Sequence, residues 1–205
     1  FGDGNNDNVE NPSHTYATAG TFPVTLTGTT NFGCFNSNTK DAVVYELPVA
    51  SFNAEDLTGC QNLCPAMGST STTQDGVITT FDWTFSDGTS FAGDNPSNCF
   101  ENLDNINTAF FDVSLTVTTS NGCVATTTVP GFLEVYPKPL ADFELSSTST
   151  SFLNPSVTAT NTSLGNLINT WEIDEPVSST YVTVDLDHTF PDTGNYPVTL
   201  MIENQ

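Results

Sequence analysis

Gly20-Thr21-Phe22-Pro23-Val24-Thr25-Leu26 returns as Gly194-Asn195-Tyr196-Pro197-Val198-Thr199-Leu200, and more loosely as Ala109-Phe110-Phe111-Asp112-Val113-Ser114-Leu115. In each copy an aromatic residue, a valine and a leucine stand two residues apart, with Thr, Ser, Pro or Asp between them. Side chains alternate across a strand, so each copy reads as a strand with one buried and one wet face. The aromatics Phe22, Phe111 and Tyr196 recur at intervals of 89 and 85 residues. A period that long belongs to a string of β units with separate cores, not to the turns of a solenoid.

Working outward, residues 1–16 superimpose on 85–100 without a gap: Phe1-Gly2-Asp3-Gly4 on Phe85-Ser86-Asp87-Gly88, and Asn11-Pro12-Ser13 on Asn95-Pro96-Ser97. A tryptophan strand, Phe81-Asp82-Trp83-Thr84-Phe85, leads into the middle copy, and Trp171-Glu172-Ile173 holds that place in the third. Residues 14–31 align equally well with 188–205. Both ends are therefore expected to fall inside a β unit, so that the chain is a window on a longer one. The connector Glu46-Leu47-Pro48-Val49-Ala50-Ser51-Phe52 matches Tyr136-Pro137-Lys138-Pro139-Leu140-Ala141-Asp142-Phe143, and its prolines stiffen it. The boundaries that follow are 1–47, the end of a first unit; 48–137, a complete second; and 138–205, a third lacking its last strand. Short stiff connectors imply a semi-rigid string of beads.

Composition narrows the function. Lys40 and Lys138 are the only basic residues against 24 acidic ones, a formal charge of −22. Nucleic acid is a very poor partner, because phosphate contact needs Lys and Arg. Anionic membrane surfaces are disfavoured for the same reason, and no apolar run approaches the ~20 residues that span a bilayer. Abundant Thr, Ser, Asn and Gly favour strands and turns over helices. The expectation is an all-β chain.

Trp83-x-Phe85-x-Asp87-Gly88 with Asn95-Pro96, and Phe1-Gly2-Asp3-Gly4, Asn11-Pro12, His14-Thr15-Tyr16, Gly20-x-Phe22-x-Val24-x-Leu26, together resemble the PKD (polycystic kidney disease) repeat. The third copy keeps Trp171, His188-Thr189-Phe190 and Gly194-x-Tyr196-x-Val198-x-Leu200, with Glu175-Pro176 in place of the Asp-Gly turn. The resemblance implies tandem immunoglobulin-like β-sandwiches, the first and last incomplete. Repeats of this style are similar to those strung along large secreted or surface-attached proteins of Bacteroidota, often exported by the type IX system and serving as adhesins, stalks or motility filaments. PKD repeats also stand beside catalytic modules in secreted hydrolases.

Five cysteines, several beside turns, indicate disulfides and an oxidising compartment. Cys60, Cys64, Cys99 and Cys123 allow three pairings. The resemblance favours Cys60–Cys123, since the end of strand A and the F–G hairpin of such domains meet, which leaves Cys64–Cys99. Cys34 then pairs upstream of Phe1. Asp3-x-Asn5-x-Asp7 has the 1, 3, 5 spacing of a calcium loop, but Asn8 stands where glycine is wanted and His14 where glutamate is. Calcium on Asp3, Asn5 and Asp7 is one candidate; calcium near a linker, on Glu46, Asp142 or Asp187, is another. The plain alternative is that Asp3 bonds backbone amides.

His14 and His188 occupy equivalent places in two copies, and Asn98 replaces them in the middle one. Repetition in one slot speaks for a structural role, bonding backbone at the sandwich corner, with Tyr16 resembling a tyrosine corner. Trp83 and Trp171 read as core for the same reason; Phe91, Phe100 and Phe110 are the aromatics left as candidates for exposure. Asp185 and Asp187 sit at strand spacing with no sign of a cleft that would raise one pKa. The chain reads as non-enzymatic. The expected role is an extracellular or cell-surface spacer or stalk of a large adhesin or filament, contacting other domains of its own chain and surface proteins, matrix or glycans. Two alternatives stay open: an accessory region that binds polysaccharide or collagen for a secreted hydrolase, and a fibre subunit completed by strand donation.

Overall fold

The computed structural model describes residues 1–165, 167–175 and 178–204, and all of its regular structure there is β-strand. The chain divides into two compact units. One comprises Phe1–Glu55, Ala66–Ser97 and Val113–Pro130; the other comprises Asp56–Pro65, Asn98–Asp112 and Gly131–Gln205.

In the first unit, β1 (Gly20–Thr29) and β2 (Phe35–Val44) form an antiparallel hairpin from Gly20↔Val44 to Thr29↔Phe35. Its turn closes with Thr30 N donating to Cys34 O and Gly33 N to Thr30 O, and Gly33 takes φ 81°. The same turn recurs at Thr119–Cys123, where Gly122 has φ 80°, Thr119 N donates to Cys123 O and Gly122 N to Thr119 O. Glycine is required at both points, because a side chain there strains a left-handed backbone. Cys34 and Cys123 thus hold identical turn positions.

β3 (Phe52–Ala54) pairs with β5 (Met67–Ser69). A larger sheet is ordered β4 (Thr58–Cys60), β9 (Val124–Tyr136), β8 (Ala109–Thr119), β6 (Ile78–Phe85), β7 (Ser90–Ala92). The alternation read in the sequence is the one observed: Val113, Leu115 and Val117 are buried, with Ser114 and Thr116 between them. Trp83 on β6 lies opposite Leu115, is fully buried, and meets Phe52 edge-on at 5.3 Å. Its indole N–H donates to Gly93 O at 2.9 Å, so burial leaves no polar atom unpaired.

The second unit repeats this arrangement. β10 (Phe143–Leu145), β11 (Ser156–Asn161) and β14 (Leu186–Thr189) form one sheet; β13 (Ser179–Tyr181), β12 (Leu167–Ile173) and β15 (Val198–Asn204) form another. Trp171, Ile173, Ala159, Leu186 and Leu200 make the core, and Phe143 meets Trp171 edge-on at 5.1 Å. The Trp171 indole donates to Thr183 O at 3.1 Å. Burying an aromatic of this size contributes about 4–6 kcal/mol of hydrophobic driving force. Two tryptophans at matching positions therefore anchor two cores. The fold is all-β, of tandem immunoglobulin-like sandwich type.

Candidate functional site

The only two histidines, expected to bond backbone, pair instead with carboxylates. His14 Nε2 lies 2.7 Å from Asp3 Oδ2, and His188 Nε2 lies 2.6 Å from Glu175 Oε1. Asp3 and Glu175 occupy the same position in their repeats, two residues after Phe1 and Ile173. The acid of the turn is therefore kept where the Asp-Gly pair is lost. Pro176, the other half of that replacement, lies outside the described residues.

Tyr181 Oη is 3.0 Å from His188 Nδ1. Both ring nitrogens are thus engaged, Nε2 with the Glu175 carboxylate and Nδ1 with the Tyr181 hydroxyl. His188 then has no ring nitrogen free to act on a substrate. In the first repeat the imidazole stacks on Phe1 at 4.2 Å and meets Tyr16 edge-on at 4.7 Å. Tyr16 behaves as the tyrosine corner requires, donating from its hydroxyl to Phe1 O at 3.0 Å.

Behind each corner stands an aromatic pair: Tyr16 on Phe22 at 4.2 Å, Phe100 on Phe111 at 5.1 Å, and Phe190 on Tyr196 at 4.9 Å. The three pairs are equivalent in the repeat alignment. They explain why Phe100, a candidate for exposure, is fully buried; Phe91 is half-buried, and of those candidates Phe110 is the exposed one at 61%.

Asp3 does not present a vacant carboxylate. It accepts from Asn5 N at 3.1 Å, Asn5 Nδ2 at 3.0 Å and His14 Nε2 at 2.7 Å. Desolvation pushes its carboxyl upward, but the hydrogen bonds from Asn5 and His14 and the attraction of His14 outweigh this and hold it well below the ordinary carboxylate range. Asp7 Oδ1 accepts from Asn8 N and Val9 N. The Asn5 amide nitrogen faces Asp3 rather than offering its oxygen there. Among the described residues, no group of three or more His, Cys, Asp or Glu side chains gathers in a way that would hold a metal ion. Asp142 accepts from Phe143 N and Asp185 from Asn161 N, so these acids also serve local backbone.

Cys64 and Cys99 form a disulfide. Leu63 and Phe100 exchange both backbone hydrogen bonds, at 3.1 and 2.8 Å. The next pair outward is Cys64 opposite Cys99, a non-hydrogen-bonded position where Cα atoms approach closely, here to 4.2 Å. The expected Cys60–Cys123 bridge is not formed, and both thiols are free. Cys60 lies beside Tyr136, at the end of β9, whereas Cys123 precedes the first residue of that strand. A strand of thirteen residues spans roughly 40 Å, far beyond disulfide reach.

Paired sheets, a buried tryptophan on a central strand and the tyrosine corner define an immunoglobulin-like β-sandwich module. A sequence-family model for the PKD domain matches residues 1–45 and 45–130, and the chain belongs to the PKD domain family. Members are generally non-catalytic accessory modules, and the disulfide fits an oxidising environment. The chain is similar to the crystal structure of the PKD1 domain of Vibrio cholerae metalloprotease PrtV, at 24% identity over 44% of this chain and 98% of that one, TM-score 0.35. It is also similar to the PKD1 domain of Vibrio anguillarum Epp, at 26% identity over 46% and 99%, TM-score 0.37. Carbohydrate-binding modules of promiscuous specificity from the β-sandwich superfamily match at 13% identity over 78% and 85%, TM-score 0.40.

Proposed function

We propose that this chain is a non-catalytic extracellular spacer, a run of PKD repeats at 1–47, 48–137 and 138–205 within a large cell-surface adhesin or filament protein of the kind found in Bacteroidota. The observation that supports it best is the His188 corner: its imidazole is spent on Glu175 and Tyr181, and the matching His14 is spent on Asp3, stacked on Phe1 and edge-on to Tyr16. The two histidines serve the scaffold, and they do so in the same slot of the first and third repeats. The acidic surface keeps neighbouring chains apart by mutual repulsion.

A spacer contributes length and mechanical strength, and its own surface is interchangeable. The test is a swap in the surface-displayed parent: residues 48–137 are replaced by an unrelated β-sandwich repeat of equal length. Adhesion equal to that of the parent supports the spacer reading. Adhesion lost despite normal display overturns it and assigns recognition to this repeat.

A further inference from the structure

Between the two aromatics of each corner, five residues stand in the first repeat (17–21) and five in the third (191–195), whereas the middle repeat has ten, 101–110. The extra length folds into a loop with a closed neck. Asn102, 3% exposed, donates from Nδ2 to Asn107 O and to Val135 O of β9, both at 2.8 Å, and accepts from Asp104 N at 2.9 Å. Asp104 in turn accepts from Ile106 N at 2.7 Å, Asn107 N at 3.1 Å and Asn107 Nδ2 at 2.8 Å. Those bonds, the one from the Asn107 side chain first, hold the Asp104 carboxyl below its ordinary range, so it stays ionised. The Cys64–Cys99 disulfide fixes the chain just upstream. It too is confined to this repeat, since Thr15 and Thr189 stand in the place of Cys99.

What this bracing presents is apolar. Leu103 is 81% exposed and Ile106 60%, on either side of the Asp104 turn. A loop that only connects two strands is served by polar residues and needs no buried anchor. A loop ordered beforehand, by contrast, loses little conformational entropy when a partner closes over its tip. The charged residues of 101–112 are Glu101, Asp104 and Asp112, all acidic, on a chain of formal charge −22. That charge repels a second copy and draws in a cationic partner.

We propose that the loop of residues 102–107 is a docking site for a cationic polypeptide segment. The segment covers Leu103 and Ile106 with its own apolar side chains and sets Lys or Arg against Glu101 and Asp104. Asn102 and the disulfide hold the loop in place, and the two apolar side chains make the contact. The inference goes beyond the spacer reading by adding one specific contact to one repeat of the run. A repeat can carry such a contact without being the adhesive part, so exchange of residues 48–137 and the binding below report on different things.

The test titrates the 205-residue chain with an acetylated, amidated peptide of alternating lysine and leucine, and with one of alternating lysine and serine. Salt is kept at ~0.15 M, where a Debye length of ~8 Å mutes long-range attraction to the acidic surface. The lysine–leucine peptide binds and shifts the amide resonances of residues 102–107. The double variant Leu103→Ser, Ile106→Ser, changed at exposed positions alone, binds it at least about tenfold more weakly. The lysine–serine peptide binds parent and variant alike, and more weakly. Three results overturn the proposal: no binding of the lysine–leucine peptide, equal binding to parent and variant, or shifts confined to residues outside 101–112. Phosphatidylcholine vesicles that retain the parent and not the variant, with no peptide bound, overturn it in favour of a lipid surface.

Discussion

Removing the Cys64–Cys99 disulfide is the perturbation whose size follows most directly from the structure. The bond closes a loop with a sequence separation of 35 residues. Loop-closure entropy for that length amounts to about 4 kcal/mol at 25 °C, released to the unfolded chain when the bond is lost. The native state loses little else, because the cysteines face each other at a pair already set by the two Leu63–Phe100 hydrogen bonds. Against a typical domain stability of about 5–15 kcal/mol, this is a large fraction. For a repeat of this size each kcal/mol shifts Tm by about 4–8 °C. The variant C64A/C99A is expected to melt roughly 15–30 °C below the oxidised parent. The denaturant slope should rise as well, because an uncross-linked unfolded state is more expanded. The assay is calorimetry and urea unfolding of parent and variant, with thiol alkylation verifying that Cys34, Cys60 and Cys123 stay reactive in both. A variant melting within a few degrees of the parent, at unchanged slope, refutes the loop-entropy reasoning.

Three other outcomes follow from the corners. His188→Ala leaves the Glu175 carboxylate, 9% exposed, with only the long 3.5 Å bond from Ser179 Oγ, and should cost about 1–3 kcal/mol, while Glu175→Gln, which keeps an acceptor, costs less; urea unfolding of both variants compares them. Asp3 has a carboxyl depressed from its ordinary value near 3.8. The stability it supplies is therefore fully present above about pH 4 and is lost as pH falls further, and Asp3→Asn should flatten this part of the acid-unfolding curve. Asp3 and Asp7 already accept N–H donors of the protein, so Tm in EDTA and in millimolar Ca²⁺ should coincide. A calcium-dependent rise would show that these side chains turn toward an ion.

The sheets were legible because their cause is local. Alternation in Val113-Ser114-Leu115-Thr116-Val117 dictates a half-buried strand, and a tryptophan repeated at Trp83 and Trp171 has to be core. The hairpin turns at Gly33 and Gly122 could be read the same way. The cysteine pairing was less accessible. Cys64–Cys99 emerged as the remainder of a Cys60–Cys123 bridge that the length of β9 forbids. Its actual cause is the register Leu63↔Phe100, a two-residue bridge between irregular segments that leaves no periodic trace. The histidine partners had a usable signal: Asp3 and Glu175 align in the same column as soon as Trp83 and Trp171 are superimposed. Reading the Glu175-Pro176 replacement as a lost turn hid the fact that the carboxylate stayed. Phe100 was obscured similarly, because one aromatic in a loop looks exposed until its partner Phe111 is placed against it.

A spacer bears tension, and residues 48–137 should then yield under force as a unit of their own. Single-molecule pulling on the 205-residue chain should show a discrete unfolding step for these residues that lengthens by about 120 Å on reduction, as the 35-residue separation closed by Cys64–Cys99 is released at ~3.6 Å per residue. A featureless extension, or a step of the same length with and without reductant, contradicts it.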